Sequence, residues 1–291
     1  MLVTGANGML GSAVIPALLD AGHEVLASDI VNHNLYHLDV RDPDAVLAYS
    51  SWFKPDLVAH LAAETSLEVC EDNPDHAWLT NALGTRNTAI ACRKLGVPMA
   101  YISSAGVFDG EQDDPYTEFD VPAPINVYGA SKYEGELFVQ QWVPEHFIVR
   151  AGWMMGGGEG KDHKFVSHIL HQLDAGSTLI HAVADKFGTP TYAPDFAKCF
   201  ETLVTSERYG TYHMASPGKP SRLDVALAIV ELLGYADEVT VRACSSSHFQ
   251  AAFFAPRPTS ECMRNYVLDL EGRNTMRPWR EALADYLGAW S

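Results

Sequence analysis

A tyrosine and a lysine lie four positions apart in the middle of the chain, in the segment Tyr128-Gly129-Ala130-Ser131-Lys132. Residues four apart on a helix share one face, so the spacing predicts that Tyr128 and Lys132 come together if this segment is helical. An ammonium group beside a phenol favours the phenolate, which predicts a tyrosine pKa lowered from its usual ~10. Such a tyrosine can give or take a proton, but the same spacing also occurs on ordinary solvated helices, so the rest of the chain must decide.

The start of the chain predicts a loop that binds phosphate. An apolar run over residues 1–4 leads into Gly5, Gly8 and Gly11, and an apolar helical pattern follows. Strand, glycine loop and helix in this order bind the pyrophosphate of a dinucleotide at the helix N-terminus, where free N–H groups attract anions. The predicted cofactor contacts in this loop are Gly5, Asn7, Gly8, Met9, Leu10 and Gly11.

An acidic residue, Asp29, ends the second predicted strand, where it can accept hydrogen bonds from ribose hydroxyls. Residues 30–34 contain no arginine or lysine to receive a 2′-phosphate, which favours NAD(H), with NADP(H) still possible. The alternative role of Asp29 is a turn cap. Tyr128 and Lys132 are also predicted to contact the cofactor, and the contacts predicted after later strands are Asp39, Val40, Leu61, Ala62 and Ala63.

Strands alternate with helices as far as residue 150, which predicts an α/β fold with a Rossmann-type doubly wound parallel sheet over residues 1–150. Ser103 and Ser104 end one strand, at the edge where such sheets bind ligands, and both are predicted to border the substrate. The glycine-rich segment 151–162 predicts a flexible loop that closes on a ligand. Residues 151–291 predict a smaller α/β C-terminal substrate lobe, some segments of which return to the sheet, with the active site between the lobes.

Composition narrows the classes of partner. The formal net charge of −17 over 291 residues, without clustered lysine or arginine, excludes a nucleic-acid partner. Five scattered cysteines without a Cys-x-x-Cys pair, and no His-Glu-x-x-His, predict reduced thiols and no metal. No signal peptide or apolar run of membrane length is present, so we expect a cytoplasmic protein that binds a small molecule. A homodimer is possible, but the sequence carries no clear interface signal.

The order of these motifs resembles the extended short-chain dehydrogenase/reductases and, more narrowly, the dTDP-4-dehydrorhamnose reductase family. The likeness spans nearly the whole chain and includes Phe187-Gly188-Thr189-Pro190-Thr191 and Pro256-Arg257-Pro258. It implies NAD(P)H-dependent reduction of the 4-keto group of a nucleotide-linked deoxysugar. It also implies site roles: Tyr128 as the general acid, Lys132 lowering the tyrosine pKa and holding the nicotinamide ribose, Ser104 bonding the substrate oxygen, Trp153 in the substrate lobe, and Arg257 facing the diphosphate.

Departures from the family pattern bear on the substrate. The family usually has Thr-Asp-Tyr where this chain has Ser104-Ala105-Gly106, and an Asp-Lys pair where it has Glu68-Val69. Related 4,6-dehydratases carry an Asp-Glu pair at these positions to remove water from the sugar. This chain has Ala105 and Gly106 there, and because neither residue can transfer a proton, dehydration is disfavoured. An NAD-dependent 4-epimerase uses the same tyrosine and lysine and stays open. So does a non-catalytic role like that of the regulatory subunit of methionine adenosyltransferase. The sugar, the nucleotide base and the stereochemistry at C4 are not determined by the sequence.

Overall fold

A central sheet of seven parallel strands organises the protein in a computed structural model that describes residues 1–31 and 35–290. Its strand order is β10-β6-β5-β4-β1-β2-β3. The strands of the described residues are β1 (Leu2–Thr4), β2 (Leu26–Asp29), β3 (Tyr36–His37), β4 (Val58–His60), β5 (Met99–Ser104), β6 (His146–Ala151), β7 (Trp153–Met155), β8 (Leu179–Val183), β9 (Pro190–Tyr192), β10 (Gly210–Met214) and β11 (Thr240–Cys244).

Helices cover both faces of this sheet, because successive strand residues point to opposite sides. Val3 packs in a core with Leu18 and Phe200 on one face, whereas its neighbour Leu2 packs with Val139 on the other. The predicted Rossmann-type fold is therefore confirmed. The α-helices of the described residues are α1 (Gly11–Asp20), α2 (Pro43–Phe53), α3 (Leu67–Asp72), α4 (Pro74–Ala77), α5 (Gly84–Leu95), α6 (Val127–Trp142), α7 (Phe165–Asp174), α8 (Ala193–Val204), α9 (Arg222–Leu232), α10 (Tyr266–Leu270) and α11 (Trp279–Gly288).

The C-terminal part of the chain builds a second core and also completes the central sheet. Strands β7 and β9 form one parallel pair and β8 and β11 another, and α7, α9 and α11 pack around a separate apolar cluster. Strand β10 pairs with β6 in the central sheet, and α8 packs against α1. A division of the chain at residue 150 stays a proposal, since later segments contribute to both cores.

Two local predictions are wrong in detail. The segment 151–162, predicted as a loop, contains strand β7, which pairs with β9 through Trp153 and Pro190. The sequence of residues 75–95 also predicts one long helix, but the structure interrupts it with a π-helical turn at Trp78–Leu83 between α4 and α5. Side-chain pattern cannot distinguish a π-turn from α-helix, because one extra residue per turn shifts the periodicity only briefly. None of the helices in the described ranges combines the length and apolar character that a membrane crossing requires.

Candidate active site

The start of helix α6 is set by an asparagine cap. The Asn126 side-chain oxygen accepts a hydrogen bond from the Gly129 amide (2.7 Å), as a favoured N-cap residue does. The same side chain donates to the carbonyl of Pro256 (2.8 Å), which ties the helix to the C-terminal part of the chain. Helix α6 therefore begins just before Tyr128, and Tyr128 and Lys132 lie on consecutive turns as the spacing predicted.

Tyr128 meets Ser104, the last residue of β5. Burial raises the pKa of Tyr128 to about 12, and the nearby Ser104 hydroxyl opposes this rise only in part. The predicted lowering of the tyrosine pKa is therefore wrong for the protein's own groups, because the cost of burying the phenolate exceeds the stabilisation that neighbouring groups give it. A phenol that stays protonated at neutral pH is in the state from which a proton can be donated.

Lys132 is nearly buried, with 3% of its surface exposed. Its amine lies 4.3 Å from the centre of the Tyr101 ring, a cation–π contact. Burial lowers the pKa of Lys132 to about 7, whereas Glu136, one turn further along α6, raises it. The charge on this amine is therefore poised to change near neutral pH, and an anion brought beside it would favour the ammonium form.

Glu136 lies at the centre of a buried network beneath the tyrosine and lysine. Its carboxylate accepts hydrogen bonds from Ser103 Oγ (2.5 Å) and from Arg150 Nε (2.9 Å) and Nη2 (2.7 Å). The prediction that Ser103 borders the substrate is wrong, because Ser103 is 3% exposed and its hydroxyl points to the interior. Successive residues of a strand face opposite sides, so only Ser104 can face Tyr128.

Substitution of Glu136 should destabilise the protein strongly. Glu136→Gln leaves the buried Arg150 guanidinium without its charged partner, and we expect the free energy of unfolding to fall by about 3 kcal/mol or more. Glu231→Gln is the matched control, since Glu231 pairs with Arg280 on the surface with 66% of its side chain exposed, and that loss should be below about 1 kcal/mol. Urea unfolding of both variants measures the difference. Equal losses would contradict the assignment of Glu136 as a stabilising buried anion.

The glycine loop touches the end of β4. Gly5 has a φ of +69°, and a Cβ built there would lie 2.5 Å from the backbone nitrogen of Ala62. The two segments thus approach so closely that only glycine fits, and helix α1 begins directly beyond the loop at Gly11. This cradle fits the pyrophosphate of a dinucleotide. The residues predicted to contact the cofactor that lie in the loop or beside it are Gly5, Asn7, Gly8, Met9, Leu10, Gly11, Leu61, Ala62 and Ala63.

Asp29 holds the glycine loop from the end of β2. Its carboxylate oxygens accept hydrogen bonds from the amides of Asn7 (2.9 Å) and Val31 (3.0 Å), so it does act as a cap. Each carboxylate oxygen has a second lone pair that can accept a hydrogen bond from a ribose hydroxyl, so Asp29 can cap the loop and bind a cofactor at the same time. The sequence predicts that residues 30–34 hold no partner for a 2′-phosphate. Of these, residues 32–34 lie outside the described residues.

Removal of the Asp29 carboxylate should discriminate between the two cofactors. We expect Asp29→Ala to weaken NADH binding more than NADPH binding, because the carboxylate accepts from the free ribose hydroxyls but repels a 2′-phosphate. Fluorescence titration of both cofactors measures the two dissociation constants, and Asp20→Ala on the exposed end of α1 is the control. Equal losses for NADH and NADPH would mean that Asp29 serves only to hold the loop.

Asp39 and Val40, two of the predicted cofactor contacts, interact with other residues of the protein. Asp39 makes a bidentate ion pair with Arg41, with a shortest distance of 2.6 Å, and this hydrogen-bonded guanidinium keeps the pKa of Asp39 below its usual value. The Val40 side chain is 5% exposed and packs in a cluster with Val46. Contact between these two residues and a cofactor stays a prediction.

Lys161 is a residue at the cofactor loop that the sequence did not single out. Its amine donates to the backbone carbonyl of Asn7 (2.9 Å) and lies 3.4 Å from the Asn7 side-chain oxygen. A Cβ at Gly157 would lie 3.5 Å from Ser12 Oγ, so the glycine-rich segment runs beside the first turn of α1. A contact over 154 positions of sequence has no local signal that could have revealed it.

Asn81 is the second residue that sequence reasoning missed. Its side-chain amide exchanges hydrogen bonds with the backbone of Glu64 (2.8 and 3.1 Å) and donates to Ser131 Oγ (3.0 Å). Asn81 lies within the π-helical turn, and such turns are frequent at functional sites. Asn81 therefore links the segment after β4 to the turn of helix α6 that lies between Tyr128 and Lys132.

The substrate side of the cleft is lined from the C-terminal part of the chain. Trp153 Nε1 donates to the carboxylate of Glu261 (2.7 Å), and a Cβ at Gly188 would lie 2.2 Å from the Trp153 ring. Burial is the main cause of the raised pKa of Tyr128, and the charge of Glu261 adds to it. The sequence did not single out Glu261, which follows the Pro-Arg-Pro segment used for the resemblance.

Gly106 and Glu68, two of the departures from the family pattern, lie beside predicted site residues. A Cβ at Gly106 would lie 3.4 Å from Ser104 Oγ and 3.5 Å from the Tyr128 ring, so glycine leaves space directly beside the phenol. Glu68 pairs with Arg257 (2.7 Å), and both side chains are about four-fifths buried, with 23% and 22% exposed. Arg257 therefore already has an anionic partner within the protein, and its contact with a diphosphate stays a prediction.

Comparisons with known proteins identify the family of this chain. A family model described as the RmlD substrate binding domain matches residues 1–291. A protein of Mycolicibacterium smegmatis named dTDP-4-dehydrorhamnose reductase is 35% identical over 291 residues, which cover 99% of this chain and 85% of the relative. The predicted resemblance is confirmed.

Solved structures of similar proteins extend over the same length. The dTDP-4-dehydrorhamnose reductase of Yersinia enterocolitica is 39% identical and superposes with a TM-score of 0.90, covering 100% of this chain and 99% of that one. The enzyme of the same name from Bacillus anthracis, solved in complex with NADP, is 33% identical with a TM-score of 0.90 and the same coverage.

Proposed function

The chain belongs to the RmlD substrate binding domain family, and we propose that it reduces the 4-keto group of a nucleotide-linked deoxysugar with a reduced nicotinamide cofactor. The observation that carries the proposal is that Ser104 and the protonated Tyr128 both border the space at Gly106, where a Cβ would lie 3.4 Å from Ser104 Oγ and 3.5 Å from the Tyr128 ring. This pair can donate to one carbonyl oxygen, and the glycine loop of the same sheet edge fits a dinucleotide.

Each residue of the site has a separate role in the proposed reduction. A bound nicotinamide supplies the hydride. Tyr128 donates its proton to the carbonyl oxygen, and Ser104 hydrogen-bonds that oxygen as negative charge develops on it. Lys132, in its charged form, holds the nicotinamide ribose and stabilises the tyrosinate that remains after proton transfer. Asn81 and Glu136 keep helix α6 and its lysine in place.

For the hydride donor we propose NADPH, with NADH also accepted. The NADP complex of the Bacillus anthracis relative supports NADPH, whereas Asp29 at the end of β2 favours NADH. The ratio of kcat/KM for the two cofactors measures this preference directly.

Turnover of a 4-keto sugar nucleotide tests the activity. We expect purified protein with dTDP-4-dehydrorhamnose to oxidise one NADPH for each sugar reduced, seen as loss of cofactor absorbance and as a product that has gained two hydrogens by mass spectrometry. A 4-epimerase would isomerise its sugar without net oxidation of cofactor. Cofactor binding without either reaction, across dTDP-, UDP- and GDP-linked 4-keto sugars, would support the non-catalytic alternative.

A further inference from the structure

We propose that Arg222 forms an anion-binding subsite that holds the diphosphate of the substrate against Trp153. In naming a diphosphate this inference rests on the proposed function, but the subsite itself is argued from the charges of the cleft. Arg222 is the first residue of α9, whose N-terminus is closed by a capping box between Ser221 and Asp224. No sequence motif singled out Arg222.

The guanidinium of Arg222 is held between two aromatic rings. Its central carbon lies 4.3 Å from the centre of the Trp153 ring and 5.0 Å from that of Phe165. Trp153 is fixed by its bond to Glu261 and by Gly188, so the cation has a rigid platform. Stacking uses the flat face of a guanidinium, and the N–H donors lie in its plane, so they remain available to the oxygens of an anion.

Arg222 has no bonded counter-ion among the described residues. Two other arginines with little exposed surface do have such a partner: Arg257 pairs with Glu68, and Arg150 pairs with Glu136. The side chain of Arg222 makes neither a hydrogen bond nor an ion pair within residues 1–31 and 35–290. Arg222 is partly exposed, so an anion that enters from solvent can reach its N–H donors.

The electrostatics around Arg222 favour a ligand of more than one negative charge. Burial lowers the pKa of Arg222 to about 10, the charge of Glu261 raises it, and that of Arg257 lowers it. Burial is the main cause that lowers the pKa of Lys164, and the charge of Arg222 adds to it; the Lys164 amine lies 3.2 Å from Thr65 Oγ1. Of the acids here, Glu68 already bonds Arg257 and Glu261 already accepts from Trp153. Within the described ranges the Arg222 side chain bonds neither of these acids, and a diphosphate matches its planar donors.

Binding of diphosphates to the NADPH-saturated protein tests this subsite without any need for turnover. The probes are dTDP, UDP, inorganic pyrophosphate and the uncharged nucleoside thymidine, measured by isothermal titration calorimetry. We expect Arg222→Gln to weaken diphosphate binding about tenfold or more, to leave thymidine unaffected, and to leave the NADPH dissociation constant unchanged. Arg222→Lys, which keeps the charge but not the planar donors, should lose less. Arg280→Gln, an exposed arginine that pairs with Glu231, is the control.

The outcomes separate this inference from the proposed function. Equal diphosphate affinity in wild type and Arg222→Gln would overturn the subsite, and so would a wild type that binds none of the three phosphate probes. If Arg222→Gln weakened thymidine and diphosphate binding equally, Arg222 would only hold Trp153 in position, and this outcome would also overturn the subsite. If Arg222→Gln fails to fold, as judged by its melting temperature, the ratio of dTDP to thymidine affinity in Arg222→Lys decides. Selective loss of diphosphate binding in a protein that reduces no 4-keto sugar would sustain the subsite while the proposed function fails.

Discussion

Tyr128→Phe should lower kcat for the 4-ketoreduction by about 10²- to 10⁴-fold, the range typical of a positioned general acid. The substitution removes only the hydroxyl, and the phenyl ring still fills its place beside Gly106 and Ser104. Cofactor affinity should change by less than about twofold, because the lost group acts on the substrate oxygen in the transition state. Single-turnover oxidation of NADPH gives the rate, and fluorescence titration gives the affinity.

Tyr133→Phe on the same helix is the matched control, because Tyr133 packs against the buried cluster around Phe108. We expect near-normal turnover for that variant. If Tyr128→Phe lost cofactor binding and turnover together, the phenol would be a cofactor ligand and the proton would have to come from elsewhere. Ser104→Ala supplies a further check, since loss of a polarising hydroxyl should lower kcat without shifting the tyrosine out of place.

The elements that position the chemistry were predictable because their causes are local. Strand β1, the glycine loop and α1 follow from a short apolar run, Gly5 and the helical spacing of Val14 and Leu18. Helix α6 follows from the same kind of spacing, and its cap at Asn126 is a residue type that favours that position. Alternation of strands and helices was sufficient to predict the parallel sheet.

The charge states of the site were not predictable, because they depend on burial. The sequence predicts that Lys132 lowers the tyrosine pKa, but desolvation raises the pKa of Tyr128 and lowers that of Lys132. Which of two adjacent serines faces the cleft depends on the register of β5, and Ser103 is committed to Glu136. Contacts such as Lys161 with Asn7 join distant parts of the chain, and no local pattern encodes them.

Lys132 should make cofactor binding depend on pH. Burial lowers the pKa of Lys132 to about 7, so we expect NADPH affinity to fall as pH rises through that value, because the neutral amine loses its attraction for the cofactor's phosphates and its charged bond to the ribose. Lys132→Met should bind NADPH about 10- to 100-fold more weakly at low pH, since a hydrogen bond from a charged group contributes roughly 1.5–3 kcal/mol. Titrations between roughly pH 6 and 9 in wild type and variant measure both effects.

The same pKa shift has a consequence for stability whose sign is opposite to that for binding. The pKa of Lys132 in the folded protein lies below its ordinary 10.5, so between about pH 7 and 10.5 the unfolded chain binds more protons than the folded one. The contribution of Lys132 to the free energy of unfolding must therefore rise with pH across this window, while NADPH affinity falls. Lys132→Met removes both dependences together, because a methionine carries no proton. If the variant kept the pH dependence of NADPH binding, the group that titrates would be another one, and Lys132 would not be the residue that couples protonation to the cofactor.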